Sequence, residues 1–145
     1  MVRSIHHINI LVRDIDESLK RYCQLLGEKV PIREALPDRG ATTARFKVGD
    51  TWLVLVQPVG DGVPARTLAA RGEGIFLLSF AVTDLLGATQ RLDEGRIGVD
   101  GASRQGLANW RVIDLDPAIQ TGLTLQLCEE SSAADEPPSA PPTSQ

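Results

Sequence analysis

The feature that most restricts this chain is that it repeats itself. Leu77-Leu78-Ser79-Phe80-Ala81-Val82-Thr83-Asp84-Leu85 lines up with His7-Ile8-Asn9-Ile10-Leu11-Val12-Arg13-Asp14-Ile15 at an offset of roughly 70 residues. Self-similarity on that scale marks a chain assembled from copies of one supersecondary unit. Each copy begins as a strand: over Ile5 to Val12, Ile8, Ile10 and Val12 alternate with His7, Asn9 and Leu11, the two-residue period of a pleated chain. Asp14 and Asp16 then supply short carboxylates that accept hydrogen bonds from the unpaired amides of a helix's first turn. Leu19, Tyr22, Cys23 and Leu26 follow at helical spacing, and Gly27 ends the run.

Beyond the turn-prone Pro37-Asp38-Arg39-Gly40 come two strand-like runs, Ala41 to Val48 and Thr51 to Gln57, joined by the hairpin pair Gly49-Asp50. In the second copy Asp84 is placed to cap a helix carrying Leu85, Ala88 and Leu92 and closing at Gly95. A strand over Trp110 to Leu115, a turn at Asp116-Pro117 and a last strand from Leu123 to Cys128 complete it. Leu123, Leu125 and Leu127 alternate there with Thr124, Gln126 and Cys128. The oily faces are expected under the helices and the polar faces on a concave surface. The chain thus reads as an α+β domain over residues 1–130, made of two tandem βαβββ modules (about 4–58 and 74–129). Residues 59–73 connect them, with Pro64 opening a short helix through Ala65, Leu68, Ala69 and Ala70. Residues 131–145, rich in Ser, Ala and Pro and without large apolar side chains, are expected to form a disordered tail.

Composition narrows the partners. At 145 residues, 42% hydrophobic and 23% charged, the chain can bury one substantial core. Its net charge of −4 and the lack of a clustered Lys/Arg run argue against a nucleic-acid backbone as partner. No apolar run approaches the roughly 20 residues that span a bilayer, and the opening residues do not resemble a signal peptide. The two cysteines, Cys23 and Cys128, form no paired motif, which fits a reducing cytoplasm. Cys23 lies on the apolar side of its helix and reads as a core residue.

The paired Val12-Arg13-Asp14-Ile15 and Val82-Thr83-Asp84-Leu85 turns carry a family likeness. So does the ending Ile113-Asp114-Leu115-Asp116-Pro117 with Gly122-Leu123-Thr124-Leu125-Gln126-Leu127. Both resemble the vicinal-oxygen-chelate superfamily of glyoxalase I, extradiol dioxygenases, bleomycin-resistance proteins and methylmalonyl-CoA epimerase. His7-Ile8-Asn9-Ile10, Leu55-Val56-Gln57-Pro58 and the connector Pro64-Ala65 to Gly74 are most similar to the epimerase branch. The resemblance implies a curved mixed sheet, a cup whose inward side chains from four strands hold a divalent metal. Carried over position by position, those ligands fall on His7, Val54, Leu77 and Gln126. Valine and leucine donate nothing to a metal, so the resemblance implies a degenerate site and no resident cofactor, unless a partner chain supplies ligands. The extra carboxylate of the epimerase falls near Thr43, which is no base at neutral pH.

The functional expectation is therefore a metal-independent isomerase or lyase acting on a small carbonyl- or epoxide-bearing molecule. His7 would move the proton, since imidazole ordinarily titrates near neutrality, and Gln126 would orient or polarise. Val54, Leu77 and Trp52 would form an apolar wall, and Trp52 is preferred to Trp110 because it shares strand parity with Val54. Thr43 and Arg45 would touch the substrate from the rim, Arg45 as a partner for a carboxylate or phosphate. His6 is expected on the opposite face, exposed. Two alternatives stand beside this: a protein that holds a small molecule without turnover, and a metal-dependent methylmalonyl-CoA epimerase. Exposed sheet edges point to a homodimer.

Overall fold

In the computed structural model, which describes residues 1–131, the polypeptide passes twice through strand, helix and three strands. The first module comprises β1 (Val2–Leu11), α1 (Ile15–Leu25), β2 (Ile32–Leu36), β3 (Ala41–Val48) and β4 (Thr51–Pro58). A connecting helix, α2 (Val63–Arg71), leads to β5 (Gly74–Val82), α3 (Leu85–Glu94), β6 (Val99–Gln105), β7 (Trp110–Leu115) and β8 (Thr124–Glu130). The expectation of a disordered tail falls, but for Ser131, outside the described residues. No helix among those residues is long and apolar enough to cross a membrane.

All eight strands join one sheet in the order β2-β3-β4-β1-β5-β8-β7-β6. Within each module the first strand lies parallel to the last, β1 on β4 and β5 on β8. The antiparallel seam between β1 and β5 unites the two halves. The modules correspond to those read from the sequence, but β2 and β6 had no individual signature. The β2 sequence IREAL lies at an open edge and shows no apolar alternation. β6 carries Gly, Asp and Ser, residues depleted from strands.

Helices α1 and α3 lie on the convex face, while α2 packs its Leu68 against the concave cluster. Under α1, Val12, Ile15, Leu19, Phe46 and Leu55 form one buried cluster; under α3, Leu85, Leu92, Ile113 and Leu127 form another. Asp14 caps α1 by accepting from the amides of Asp16 and Glu17 at 3.1 and 3.2 Å. Asp16 is not a cap; it lies inside the first turn and pairs with Arg33. Asp84 occupies the equivalent position before α3 without a capping bond. In both modules the last strand ties down the first helical amide: Ile15 donates to Gln57 Oε1 at 2.8 Å and Leu85 to Glu129 Oε1 at 3.1 Å.

The concave face departs from expectation. Leu11, Val54, Val56, Leu107, Trp110, Val112 and Cys128 make it a third apolar cluster, interrupted by a few polar side chains. Two opposite regions of the curved sheet are bridged by Glu34 of β2, whose carboxylate oxygens both accept from Ala108 N, in the β6–β7 loop, at 3.2 Å. The turn before β3 is fixed by Gly40, at φ +65°, where an added Cβ would lie 2.9 Å from the carbonyl oxygen of Val59. Left-handed backbone costs an L-residue roughly 1–2 kcal/mol, and this contact adds to it. Gly40→Ala is therefore expected to lower the unfolding free energy by at least that amount, read as a lower urea midpoint at unchanged m-value. An unaltered midpoint would show that the turn relaxes freely.

Candidate functional site

The seam between β1 and β5 is not a regular ladder. Ile5 pairs with Phe80 and His7 with Ser79, so His6 is an extra residue on β1; likewise Asn9 pairs with Leu77 and Ile10 with Ile75, leaving Phe76 extra on β5. A bulge sets two residues against one and re-aims their side chains. Of the three irregularities along the seam, the third lying at Arg3, the repeat places these two bulges at matching sites, and each turns a neighbouring pair inward. Phe76 and Leu77 both line the cavity inside the cup. His6 and His7 are both buried, 4% and 3% exposed, with their Nδ1 atoms 2.8 Å apart. The expectation that His6 faces outward into solvent fails for this reason: strand parity does not survive a bulge.

Trp110 holds the two rings. Its indole stacks on His7 at 4.8 Å and 18° and meets His6 edge-on at 4.6 Å and 84°. Its Nε1 donates to Glu130 Oε1 at 3.1 Å. The other carboxylate oxygen, Oε2, stands 3.3 Å from His6 Nε2, a contact too poorly aligned to satisfy that nitrogen as a regular hydrogen bond.

The cavity itself measures about 80 Å³ and lies between the concave sheet, the start of α2 and the β6–β7 loop. Of the side chains read from the sequence, His7, Thr43, Val54, Leu77 and Gln126 line it. Arg45 and Trp52 are not on its wall. Arg45 is buried, donates to Glu34 Oε1 at 2.8 Å and sets its guanidinium 5.4 Å from the ring centroids of both Trp52 and Trp110. It is a clamp behind the site and not the rim contact expected from the sequence. Trp52 has the right parity but lies toward the strand end, behind Trp110, at 5.9 Å; Trp110 is the aromatic wall. Thr43 reaches the cavity, while its hydroxyl donates to Glu34 O at 2.7 Å.

Sequence reasoning missed Asn9, Phe76, Arg39 and Arg104 on the wall. Asn9 could have been found, because it shares the inward parity of His7. Arg39 comes from the turn before Gly40 and Arg104 from β6, neither of which has a readable period. Arg104 pairs with Asp114 at 3.1 Å, and Asp114 Oδ1 also accepts from Gln126 Nε2 at 2.9 Å. Gln126 Oε1 and Asn9 Oδ1 are buried without a partner. The cavity is thus an apolar chamber with unused acceptors in its wall and two cationic side chains.

Burial dominates the electrostatics, because taking a charge out of water disfavours it. It pushes His7 down to about 3, helped by the neighbouring His6 and opposed by Gln126. The expectation that His7 titrates near neutrality is corrected accordingly. His6 is also lowered, by burial first, with Glu130 pulling upward and Lys47 downward. Burial pushes the Cys128 thiol up to about 12, and Glu130 and Glu129 add to this. Arg39 is lowered by burial and by Arg104, with Asp114 opposing.

A divalent metal implied by the family resemblance does not fit the four inherited positions, because Val54 and Leu77 are buried carbon side chains there. A different trio does carry donors: His6, His7 and Cys128 hold one ligand atom each within 4.8 Å of one another. This trio runs against the expectation that the cup has no metal-binding capacity, and it was invisible while His6 was placed outside. A cation there would have to replace the 2.8 Å contact between the imidazoles.

A family model described as "Glyoxalase/Bleomycin resistance protein/Dioxygenase superfamily" matches residues 6–113. The chain belongs to that superfamily. It is 28% identical over 131 residues to the ethylmalonyl-CoA/methylmalonyl-CoA epimerase of Cereibacter sphaeroides, covering 88% of this chain and 98% of that protein. Among solved structures, the methylmalonyl-CoA epimerase of Mycobacterium tuberculosis superposes with a TM-score of 0.84 at 28% identity, over 90% of each chain. A methylmalonyl-CoA epimerase bound to methylmalonyl-CoA and NH4+ shares the fold, with a TM-score of 0.84 at 24% identity over 91% of this chain and 97% of that one. Within the superfamily the chain therefore sits beside the epimerases, as the opening and connector motifs indicated.

The depressed His7 makes a stability prediction. A histidine that gains a proton on unfolding contributes stability that is complete above its unfolded value, 6.5, and is lost as pH falls toward about 3. From about pH 6 to about pH 4, the wild type is expected to lose stability relative to His7→Gln by up to about 1.4 kcal/mol per pH unit. Urea unfolding of both proteins across that window checks it. Parallel curves would show that His7 is not held neutral.

Proposed function

We propose that the cup binds a small, largely apolar molecule with a carbonyl and an acidic group, and that His7 catalyses a proton shift on it without a metal. The observation carrying this reading is that, among the described residues, His7 is the one lining side chain that can act as a base, since the other polar wall groups are amides, a hydroxyl and two guanidinium groups. Its Nδ1 is occupied by His6, so Nε2 is the nitrogen left for a ligand. No carboxylate lines the chamber among the described residues. A single base suits a 1,3-proton shift, in which one group removes the proton and returns it on the same face, or an elimination, in which it keeps the proton while a leaving group departs from the neighbouring carbon with its bonding pair. Epimerisation, which delivers the proton to the opposite face, calls for a second group, and Thr43 and Val54 do not provide one.

Arg39 and Arg104 would hold the acidic group by charge-assisted hydrogen bonds. Phe76, Leu77 and Val54 would exclude water, which strengthens each polar contact inside. Gln126, tied by its amide nitrogen to Asp114, would present Oε1 to a ligand N–H or O–H. The epimerase relatives make short-chain acyl-CoA thioesters the first compounds to try.

A second reading, ligand holding without turnover, is favoured by the depth of the His7 depression, because a weakly basic imidazole abstracts protons slowly. Deuterium exchange separates the two. Chelator-treated protein in D2O would be incubated with methylmalonyl-CoA, other short-chain acyl-CoA thioesters and small 2-oxo acids, and loss of the α-proton followed by NMR. Metal-free exchange with at least one compound is expected, slowed about 10²- to 10⁴-fold in His7→Gln. Exchange that requires an added divalent ion, or is unchanged in His7→Gln, would contradict the proposal. Saturable binding with no exchange would favour the holding protein.

A further inference from the structure

We propose that Asp114, which is not itself on the cavity wall, makes the mouth of the cup a subsite for a singly charged carboxylate with a hydroxyl on the neighbouring carbon. The inference rests on the reading of the chamber as a site for an acidic molecule, and it deepens that reading by naming the class.

Charge is the first part of the argument. Among the described residues, the charged side chains on the wall are the guanidinium groups of Arg39 and Arg104. Arg104 is held as a fork by Asp114, Nη1 to Oδ2 at 3.1 Å and Nη2 to Oδ1 at 3.3 Å. Arg39 enters none of the ion pairs among the described residues. It is lowered by burial and then by the like charge of Arg104, with Asp114 opposing, so the three groups share one field. Two positive charges and one negative leave a surplus of one. A single carboxylate cancels that surplus through charge-assisted hydrogen bonds. A dianion brings a second charge that must leave water without a partner, and an unpaired buried charge is strongly unfavourable.

Orientation is the second part. Asp114 Oδ1 also accepts from Gln126 Nε2 at 2.9 Å. A carboxylate can only accept, so turning the amide over would set oxygen against oxygen. Gln126 is therefore fixed with Oε1 pointing away from Asp114, and that oxygen is buried without a partner. On the same wall Asn9 Oδ1 is buried and unpartnered as well. Both acceptors call for a donor from the occupant, since a buried acceptor left unpaired costs stability. Because one carboxylate holds both Arg104 and Gln126, the cation and the acceptor stand side by side. A 2-hydroxy acid matches them, its carboxylate on the arginines and its hydroxyl donating to Gln126 Oε1. The enol of a 2-oxo acid has the same outline, which brings 2-oxo monocarboxylates into the same class.

Three small probes separate the two parts. Lactate has the acid and the hydroxyl, propionate lacks the hydroxyl, and tartronate exchanges the methyl of lactate for a second carboxylate. Their binding to chelator-treated full-length protein would be measured by titration calorimetry at about pH 8, where all these carboxylates are ionised. Lactate is expected to bind about tenfold more tightly than propionate or tartronate. In Asp114→Asn the surplus rises to two and Gln126 can turn. Tartronate should then overtake lactate, and the gap between lactate and propionate should close. Arg39→Gln, in a turn with no buried residue, should weaken lactate at least about tenfold.

Tartronate binding as tightly as lactate to the wild type would overturn the proposal, as would no saturable binding of any probe. So would an unchanged ranking in Asp114→Asn, the result of a merely structural role. If Asp114→Asn fails to fold, the wild-type ranking and Arg39→Gln decide. The expected ranking without deuterium exchange on any compound would uphold the subsite and remove the proposed reaction. Exchange without the ranking would do the reverse.

Discussion

Much of the site depends on one extra residue. Because β1 has His6 inserted against the ladder of β5, two adjacent side chains that regular pleating would send to opposite faces are turned to the same one. The N–H···N contact, the packing around Trp110 and the contact with Glu130 follow from that. A bulge weakens pairing locally, and here the loss is offset by burying two rings against an indole and by the apolar cluster of Leu11, Val56 and Val112 behind them. Arg45, held by Glu34 and set against both tryptophans, closes the far side.

The same bulge occurs in the second module, where the repeat puts Phe76 and Leu77 in place of the two histidines. The backbone device is thus symmetric and the chemistry is not. One half of the seam contributes polar, hydrogen-bonding rings; the other contributes carbon. Gln126 of β8, Asn9, Thr43 and the arginines of the mouth supply the remaining polarity, and Gln126 is linked to Arg104 through Asp114. This asymmetry turns a two-fold scaffold into a chamber with a wet end and a dry end, which suits a molecule with one polar group and one apolar body.

Most of the architecture was legible because it is written in periodicity. The offset between residues 7–15 and 77–85, the alternation in β1 and β8, the strand-like runs of β3 and β4 around Gly49-Asp50, and the Asp14-opened α1 each have a short-range physical cause. The edge strands β2 and β6 were not legible, since an edge strand packs on few neighbours and its sequence has little reason to alternate. Five of the seven proposed site residues lie on the cavity wall, because inward parity is set strand by strand. Arg45 and Trp52 share that parity but lie toward the strand end beyond the chamber, and position along a strand is not encoded in its alternation. His6 and Phe76 were misread or missed because a bulge leaves no mark in a single sequence. The depression of His7 was hidden as well, as it arises from burial contributed by distant segments.

The central feature of the cup is the hydrogen-bonded imidazole pair on its floor. Scalar coupling between nitrogens across an N–H···N bond observes that pair directly. In 15N-labelled, chelator-treated protein a 15N–15N coupling joining the Nδ1 atoms of His6 and His7 is expected. No such coupling, with both Nδ1 resonances instead shifting together on stoichiometric uptake of a divalent ion, would contradict the account and assign the floor to a metal.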